Sequence, residues 1–381
     1  MRLKMGMIGG GLDAMAGGLH RRATALDGRF DLVAGALSST RERSLAAAKA
    51  WGLLRAYGSW EEMLKKESAL PADERIDFVT VATPNHLHVP VAKAFAEAGF
   101  HVACDKPIGV SLYEARELCR LIEESGIVFL LTHNYTGYPM VKQARHMVRS
   151  GELGEIIKVM VEYPQGWLLD AIEKQGHKGA GWRTDPAKSG PAGCLADIGS
   201  HAQNMMHTIT GLEIAELCAD LGSLHGRRVD DDISILLRFE GGARGILAAS
   251  QVMAGEEGGP NIRIYGTRGA LEWRQVEPET LVHRGKDQPV RILRRGEPYL
   301  CEAARRASRL PPGHPEGYYE AFANLYLNFA DAIVAGRRGV KAAERDFPTA
   351  TDGARTMAFI ETALESNAAG GKWMRVKDHT H

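Results

Sequence analysis

Cysteine is scarce in this sequence, and its spacing suits neither a disulfide framework nor a metal site. The five in 381 residues are Cys104, Cys119, Cys194, Cys218 and Cys301, and no two of them form a CxxC pair. An odd number of widely spaced cysteines argues against disulfides and against zinc, so we predict no bound metal. Free thiols are typical of a reducing cytoplasm, where we expect this protein to reside.

Excess charge of one sign is also lacking, and so are long apolar runs. Lys and Arg together number 47, as do Asp and Glu. The chain therefore has no net charge that would favour nucleic acid or an anionic membrane surface as a partner. No apolar run reaches the roughly 18 residues that span a bilayer. The N-terminus, MRLKMGMIGGGL, has no long apolar core, so we predict no signal peptide.

What the sequence does have is two halves with different hydrophobic patterns, and its length predicts two domains. Residues 1–132 alternate strand-like and helix-like segments, which predicts an α/β domain with a doubly wound parallel sheet of the Rossmann type. Residues 133–381 contain successive strands with glycine-rich turns, which predicts an α+β domain with a mostly antiparallel sheet. Helices are expected at Glu316–Ala335 and Thr349–Asn367, whereas Asp287–Pro312 shows no clear element.

Two predicted strands of the first half end in polar turns. Phe78–Ala82 is followed by TPNHLH, and His101–Cys104 is followed by DKP. Either turn alone is most often ordinary surface structure, but open parallel sheets bind ligands at the carboxyl ends of their strands. The residues of these turns that we expect to contact a bound cofactor are Thr83, Asn85, His88, Asp105 and Lys106.

Three consecutive glycines beginning at Gly9 directly follow the first predicted strand, and a helix starts soon after. Glycines there let backbone N–H groups approach a pyrophosphate at the helix N-terminus. The small residues of the turn are Gly9, Gly11 and Ala14, or, with a longer turn, Gly17 in place of Ala14. Asp13 lies in the same turn and either contributes to cofactor binding or is a helix N-terminal residue favoured by the macrodipole.

The end of the second predicted strand bears on the choice of cofactor. An acid there would bind the ribose 2′-hydroxyl of NAD, whereas basic and hydroxyl residues suit the 2′-phosphate of NADP. The segment after Leu37 is SSTRER, with no acid at the strand end, so Ser38 and Arg41 favour NADP. Alternatively, Ser39 or Thr40 caps the helix and the arginines are solvated, so NAD and NADP both stay open.

A carboxylate and an imidazole stand four residues apart in the second half, at Asp197 and His201. This spacing places both side chains on one face of a helix. Hydride transfer from a carbinol carbon needs a group that removes the hydroxyl proton, and such a pair can do so. Taken alone, the pair more often means a helix cap and a core histidine; together with the upstream DKP it favours catalysis.

These motifs together resemble the Gfo/Idh/MocA oxidoreductase family, which includes glucose–fructose oxidoreductase and inositol dehydrogenases. The family pattern combines an N-terminal glycine-rich turn, TPNxxH, EKP and DxxxH, and the resemblance spans nearly the whole chain. The sequence departs from the pattern in two places. Asp105 replaces the usual Glu, and the glycine-rich turn is longer and contains Leu12-Asp13.

The resemblance implies an enzyme that transfers hydride between NAD or NADP and a secondary hydroxyl of a sugar, sugar derivative or polyol. It assigns Lys106 to the reacting oxygen, His201 as the general base, and Asp197 as its partner or a substrate ligand. It also implies a homodimer or homotetramer. One alternative is a redox glycosidase that uses the same residues, and another is a non-catalytic cofactor-binding sensor, which the presence of all three residues disfavours.

Further candidates follow a strand or lie in a long loop. Asn134 follows the last strand of the first domain, where it would contact the nicotinamide ribose. The loop Gly166–Gly193 is long enough to be functional. Within it, Trp182 offers a stacking face for a sugar ring and Arg183 offers donors for its hydroxyls. The substrate candidates of this kind are Tyr135, Tyr163, Trp182 and Arg183.

Overall fold

The computed structural model describes residues 2–12, 14–340 and 345–380, and the chain forms two compact units. The first unit comprises Met1–Asn134 and Tyr318–Ala354, and the second comprises Tyr135–Gly317 and Arg355–His379. The sequence predicted one uninterrupted second domain after residue 132. In the structure the segment from Tyr318 to Ala354 belongs instead to the first unit.

The first unit is built on a six-stranded parallel sheet. Its strands are β1 (Leu3–Gly9), β2 (Phe30–Ala36), β3 (Arg55–Ala56), β4 (Phe78–Ala82), β5 (His101–Cys104) and β6 (Phe129–Leu131). The helices between them are α1 (Met15–Ala25), α2 (Arg41–Ala50), α3 (Trp60–Ser68), α4 (His88–Glu97) and α5 (Leu112–Ser125). The spatial order β3-β2-β1-β4-β5-β6 reverses direction at β1, which confirms the predicted doubly wound Rossmann sheet.

Burial and capping explain why these segments form where they do. All five residues of β4 are buried, as expected for a parallel strand that is covered on both faces. Helix α5 begins where Ser111 Oγ accepts a hydrogen bond from the N–H of Glu114 at 3.2 Å. It ends at Gly126, whose left-handed φ of 66° terminates the helix.

The second unit is built on a nine-stranded sheet. Its strands are β7 (Ile156–Pro164), β8 (Ile214–Gly222), β9 (Asp232–Phe239), β10 (Arg244–Ser250), β11 (Asn261–Gly266), β12 (Gly269–Arg274), β13 (Thr280–Gly285), β14 (Val290–Arg294) and β15 (Met374–Arg375). They lie in the order β14-β13-β12-β11-β7-β10-β9-β8-β15. Only the β10–β7 pairing is parallel among these strands, so the predicted mostly antiparallel sheet is confirmed.

Seven helices of the described residues follow the first five. They are α6 (Pro139–Arg149), α7 (Lys178–Arg183), α8 (Pro186–Ser189), α9 (Ser200–Thr210), α10 (Glu302–Arg306), α11 (Tyr318–Arg337) and α12 (Ala350–Ala368). Helix α11 belongs to the first unit, and α12 begins there and continues in the second. In the described parts of the chain, no helix has both the length and the hydrophobicity needed to cross a membrane.

The prediction of no element in Asp287–Pro312 was wrong, because β14 and α10 both lie there. Strand β14 is almost fully exposed and lies at the edge of the sheet beside β13, so no buried apolar face distinguishes it from the basic residues around it. Beside it, the guanidinium of Arg295 is buried and bonds Glu279 at 2.5 Å and Glu316 at 2.9 Å. These long-range ion pairs organise a stretch that looks irregular in sequence.

Helix α11 completes the hydrophobic core of the first unit. The ring of Phe329 lies edge-on to that of Phe78 in β4, with centroids 5.2 Å apart. The ring of Tyr326 approaches Phe30 of β2 in the same way, at 5.7 Å. Edge-to-face aromatic pairs of this kind contribute about 0.5–1.5 kcal/mol beyond simple burial. Aromatic residues near the C-terminus therefore pack on the N-terminal sheet.

Candidate active site

The glycine-rich turn between β1 and α1 allows close backbone approach to a ligand. Gly9 and Gly10 adopt left-handed φ angles of 75° and 68°, which side chains disfavour. A Cβ atom on Gly17 would collide with the carbonyl oxygen of Gly10. Helix α1 thus meets the turn at Gly17, which favours the longer predicted turn over the one that ends at Ala14.

The N-terminus of α1 offers unsatisfied N–H groups toward this turn. Ala14 precedes the helix without a side-chain cap, and the first turn holds no acidic residue. Among the described residues, no acidic side chain of the first turn neutralises the positive end of the helix dipole, and the geometry fits a dinucleotide pyrophosphate. Gly11 donates its N–H to the carbonyl of Leu37 at 3.0 Å, which joins the turn to the end of β2. Asp13 lies outside the described residues.

The end of β2 carries no acidic side chain, and Arg41 is already paired. Its Nη1 lies 2.9 Å from Glu62 Oε2, and Lys66 contacts the same carboxylate at 2.7 Å. Hydrogen bonds from Lys66, from the N–H of Gly58 and from Arg41 lower the pKa of Glu62 to about 2. Ser38 is half-buried just beyond the strand. Arg41 would have to leave Glu62 to bind a 2′-phosphate.

His88 connects the two polar turns that follow β4 and β5. Its Nδ1 lies 2.7 Å from the carbonyl oxygen of Pro107, and its Nε2 lies 2.8 Å from that of Thr83. Burial lowers the pKa of His88, against the raising effect of the Pro107 carbonyl and of Asp105. The ring is almost fully buried, so His88 fixes the two turns to each other.

Two further residues of the first turn suit a bound ligand. The hydroxyl oxygen of Thr83 is buried and, within the described chain, has no hydrogen-bond partner. Such an orphaned group at the carboxyl edge of a sheet is what a bound cofactor would satisfy. Asn85 is 5% exposed and opens the short 3₁₀ turn that leads into α4.

Asp105 and Lys106 follow β5, and Asp105 is held from two sides. Thr132 donates its hydroxyl to Oδ1 at 2.8 Å, and Nε2 of His20 lies 3.7 Å from Oδ2. The hydroxyl of Tyr326 lies 2.8 Å from Nδ1 of His20 and fixes that ring. Burial raises the pKa of Asp105, but its histidine and threonine neighbours bring it well below the ordinary value. A charged carboxylate therefore precedes Lys106.

The residues after β6 lie at the same edge of the sheet. The N–H of Thr132 donates to the carbonyl of Cys104 at 2.9 Å, which places the end of β6 beside the end of β5. His133 and Asn134 are each 1% exposed. Burial lowers the pKa of His133 to about 3, and the charge of Lys106 adds to this effect, so the ring is neutral at neutral pH.

In the second unit, Asp197 and His201 lie on consecutive helical turns. Asp197 belongs to a π-helical turn, Leu195–Gly199, that leads into α9, where His201 is the second residue. The His201 ring packs edge-on against that of Tyr135, with centroids 4.9 Å apart. Tyr163 lies next to both, with its ring 6.5 Å from His201 and its hydroxyl in contact with that of Tyr135.

The carboxylate of Asp197 accepts hydrogen bonds from Gln251 and Arg183. Nε2 of Gln251 donates to Oδ2 at 2.8 Å, and Nε of Arg183 donates to the same atom at 3.2 Å. Gln251 is buried and follows β10. Gln251 was missed from sequence, because a single glutamine after a strand carries no motif. Its role becomes visible only through the partner it contacts.

The long loop brings two indole rings to Arg183. Its guanidinium carbon lies 4.3 Å from the ring centroid of Trp182 and 5.9 Å from that of Trp167, within the range of cation–π attraction. Trp167 Nε1 donates to the side-chain oxygen of Gln165 at 3.0 Å. Aromatic faces and polar donors thus gather beside Asp197, a combination suited to a polyhydroxylated ring.

Asp230 fixes the start of the turn that carries Asp197. Its carboxylate accepts hydrogen bonds from the N–H groups of Gly193 at 2.8 Å and Leu195 at 2.6 Å. Burial raises the pKa of Asp230 to about 6, although these two hydrogen bonds act in the opposite direction. Asp230 was also missed from sequence, because its partners are more than thirty residues away.

The predicted site residues fall into two groups, one in each unit. In the second unit, contacts link Tyr135, Tyr163 and His201 to one another, and Trp182, Arg183 and Asp197 to one another. Asp197 and His201 connect the two sets through consecutive helical turns. The residues that follow β4, β5 and β6 in the first unit are Thr83, Asn85, His88, Asp105, Lys106 and Asn134. Across the described residues, no group of three or more His, Cys, Asp or Glu side chains is arranged to hold a metal ion.

Comparison with known proteins identifies the class of this fold and site. Residues 3–133 match an oxidoreductase family with an NAD-binding Rossmann fold, so the first unit is a nicotinamide-dinucleotide-binding domain. Residues 141–272 match the GFO/IDH/MocA C-terminal domain. The chain belongs to the Gfo/Idh/MocA oxidoreductase family, which confirms the resemblance drawn from its motifs.

Relatives of known structure and sequence span the whole chain. An inositol dehydrogenase homolog from Azotobacter vinelandii, solved with NAD+, is 33% identical, has a TM-score of 0.94, and covers 98% of this chain and 97% of its own. The uncharacterized oxidoreductase YfiI of Bacillus subtilis (strain 168) is 32% identical over 98% of this chain and 97% of its own length. Levoglucosan dehydrogenase of Pseudarthrobacter phenanthrenivorans is 27% identical, with 98% of each chain covered.

Proposed function

We propose that this protein is a dehydrogenase that oxidises a secondary hydroxyl of a sugar, sugar derivative or polyol. The observation that carries the proposal is the cluster of the second unit, where Arg183 binds Asp197 and lies over the ring of Trp182, and where His201 packs edge-on against Tyr135. The substrate class is supported by relatives solved with myo-inositol and with levoglucosan. Rings that carry several hydroxyls suit aromatic faces flanked by hydrogen-bond donors.

The cofactor is held by residues of the first unit. Gly9 and Gly11 let the backbone approach the pyrophosphate, and Ala14 opens the helix that faces it. Thr83 supplies a buried hydroxyl, and the further contacts come from Asn85, His88, Asp105, Lys106 and Asn134. The bound nicotinamide supplies the hydride chemistry, and the protein supplies position and charge.

Three residues carry the proton chemistry. Lys106 presents an ammonium to the reacting oxygen and stabilises negative charge that develops on it. His201 accepts the hydroxyl proton, and Asp197 stabilises the imidazolium that results. Tyr135, Tyr163, Trp182 and Arg183 orient the substrate. These roles follow the family pattern onto the matching positions of this chain.

We infer that NAD is preferred over NADP. Although no acid stands at the end of β2, Arg41 is bound to Glu62 and would have to leave it to meet a 2′-phosphate. Ser38 remains as a hydroxyl partner for the ribose. The solved relatives named above are complexes with NAD+ or NADH. We therefore give the Arg41–Glu62 ion pair more weight than the absence of an acid at the strand end, which by itself favoured NADP.

We propose a homodimer or homotetramer that uses the open face of the nine-stranded sheet. Residues of β9, β10 and β7 in register are Leu236, Ile246 and Met160. Their neighbours along the strands point into the core, whereas Leu236 is 48% exposed. An apolar row on an otherwise open sheet favours association. Light scattering should give a multiple of the chain mass, and Leu236→Arg should reduce it.

A cytoplasmic location is part of the same proposal. All five cysteines are free thiols, which suits a reducing compartment. The proposal would be abandoned if cell fractionation found the protein in an oxidising compartment.

A substrate screen tests the function. Purified protein is incubated with sugars and polyols, myo-inositol and levoglucosan among them, with NAD or NADP, and reduced cofactor is followed by absorbance. A dehydrogenase accumulates reduced cofactor, whereas a redox glycosidase releases an aglycone without net reduction.

With a substrate found, Lys106→Met should lower kcat by about a hundredfold or more. Lys49→Met, at an exposed position of α2, serves as the control. A Lys106→Met enzyme with wild-type turnover would remove Lys106 from the mechanism.

A further inference from the structure

Gln251 and Arg183 both donate to Asp197, and the structure distinguishes these two residues by how firmly each is held. Gln251 is 2% exposed; its N–H donates to the carbonyl of Asp231 at 2.8 Å, and its carbonyl accepts from Leu168 at 2.9 Å. Both backbone polar groups of Gln251 are therefore held, one by Asp231 next to β9 and the other by Leu168 in the long loop. Gln251 also directly follows Ser250, the last residue of β10, which pairs with both β9 and β7.

Arg183 is held less firmly. It lies on a helix of six residues, α7, inside the long loop, and 29% of its side chain is exposed. Its Nε lies 3.2 Å from Asp197 Oδ2, longer than the 2.8 Å of the Gln251 contact. A half-buried guanidinium on a short helix of the loop has more freedom to turn toward substrate hydroxyls than a buried amide at the end of a strand. The constant partner of Asp197 is therefore Gln251.

We propose that Gln251 is a positioning residue that acts through Asp197 and does not itself touch the substrate. Its amide is a neutral donor, so it orients the carboxylate without cancelling the negative charge that Asp197 needs toward His201. The inference rests on the proposed function, because it requires Asp197 to take part in the reaction.

Two variants of Gln251 test this role. Gln251→Leu removes the donor at similar volume and should lower kcat by about tenfold to a hundredfold, with the KM for substrate changed less than about threefold. Gln275→Leu is the matched control, because Gln275 donates at 3.4 Å to Tyr138 in the same unit but contacts no proposed site residue. It should retain wild-type kcat.

Gln251→Glu keeps the size and replaces the donor by a carboxyl group. Two carboxylates at hydrogen-bond distance repel each other, which raises the pKa of one of them, so the pair takes up a proton as the pH falls. At acid pH the introduced carboxyl can donate to Asp197, and kcat relative to wild type should rise by about tenfold between mildly alkaline and mildly acid pH. This variant also decides the question if Gln251→Leu fails to fold. A ratio that does not change with pH would overturn the proposal.

A double-mutant cycle separates this inference from the function it rests on. If Gln251 acts through Asp197, Gln251→Leu should lower kcat less than about twofold in an Asp197→Asn background. If Gln251→Leu lowered kcat by the same factor with and without Asp197→Asn, Gln251 would not act through Asp197. The same conclusion would follow if Gln251→Leu changed KM and left kcat unchanged. If Asp197→Asn itself keeps wild-type turnover, it is the proposed role of Asp197 that fails, whatever Gln251 does.

Discussion

The raised pKa of Asp230 makes the stability of the second unit depend on pH in an unusual direction. Its carboxyl titrates at about 6 in the folded protein, against an ordinary value of 3.8, because it is buried. The folded state therefore binds more protons than the unfolded state between about pH 4 and pH 6. Stability from this group is fully present below about pH 4 and is lost as the pH rises through 6.

The size of the effect follows from the shift. A rise of about two pKa units, at about 1.4 kcal/mol each, corresponds to about 3 kcal/mol of unfolding free energy. Asp230→Asn lacks the titrating proton. The substitution also alters a hydrogen bond to Gly193 or Leu195. This alteration adds a constant to the difference in unfolding free energy between wild type and variant, and the constant is the same at every pH. The difference in unfolding free energy, wild type minus variant, should therefore fall by about 3 kcal/mol from pH 4 to pH 7.

Urea denaturation followed by tryptophan fluorescence measures this difference. The second unit contains four of the six tryptophans, Trp167, Trp182, Trp273 and Trp373, so the signal reports mainly on it. Asp220→Asn, at an exposed position of β8, is the control and should track wild type at every pH. A difference that is flat, or that rises with pH, would refute the reasoning. It would mean that the two N–H donors outweigh the burial of the carboxyl.

Two further predictions concern the cofactor domain. Gly17→Ala should weaken NAD binding measured by calorimetry at least about tenfold and lower the melting temperature, because its Cβ would meet the Gly10 backbone. Gly18→Ala, whose nearest neighbour would be the end of the Arg22 side chain 4.0 Å away, should leave both unchanged or slightly stabilise the helix. Glu62→Gln should raise the kcat/KM ratio of NADP to NAD several-fold by releasing Arg41. The same change in an Arg41→Ala background should do nothing, and an equal shift there would show that Arg41 is not the cause.

The sequence predicts the first unit well because its strands are short, buried and followed by polar turns. Strand β4 lies at Phe78–Ala82, as predicted, and β5 at His101–Cys104. An apolar run that ends in Thr-Pro-Asn or Asp-Lys-Pro marks both the strand and its functional end. Hydrophobic periodicity does not tell which core a helix joins, so the return of α11 to the first unit could not be predicted.

The structure of the second unit is harder to predict from sequence, because the contacts that determine it are long-range. Strand β14 is exposed along almost its whole length, so only its ladder with β13 makes it a strand. The site has the same difficulty. Asp197 and His201 stand out by their spacing, whereas Gln251 lies 54 residues from the carboxylate it binds. A contact between residues so far apart in the chain cannot be predicted from the local sequence around either of them.

Sheet register explains how these distant residues reach one place. In the second unit, Ser250 at the end of β10 pairs with Asp232 at the start of β9 and with Pro164 at the end of β7. The residues that follow β7 and β10 and those that precede β9 must therefore lie at the same end of these three strands. They include Asp230 and Gln251. The parallel β10–β7 pairing is essential to this result, because an antiparallel one would place the end of β7 at the opposite edge. In the first unit, parallel pairing likewise places the carboxyl ends of β4, β5 and β6 side by side. In each unit the strand register, more than any single motif, assembles the residues that we assign to the reaction.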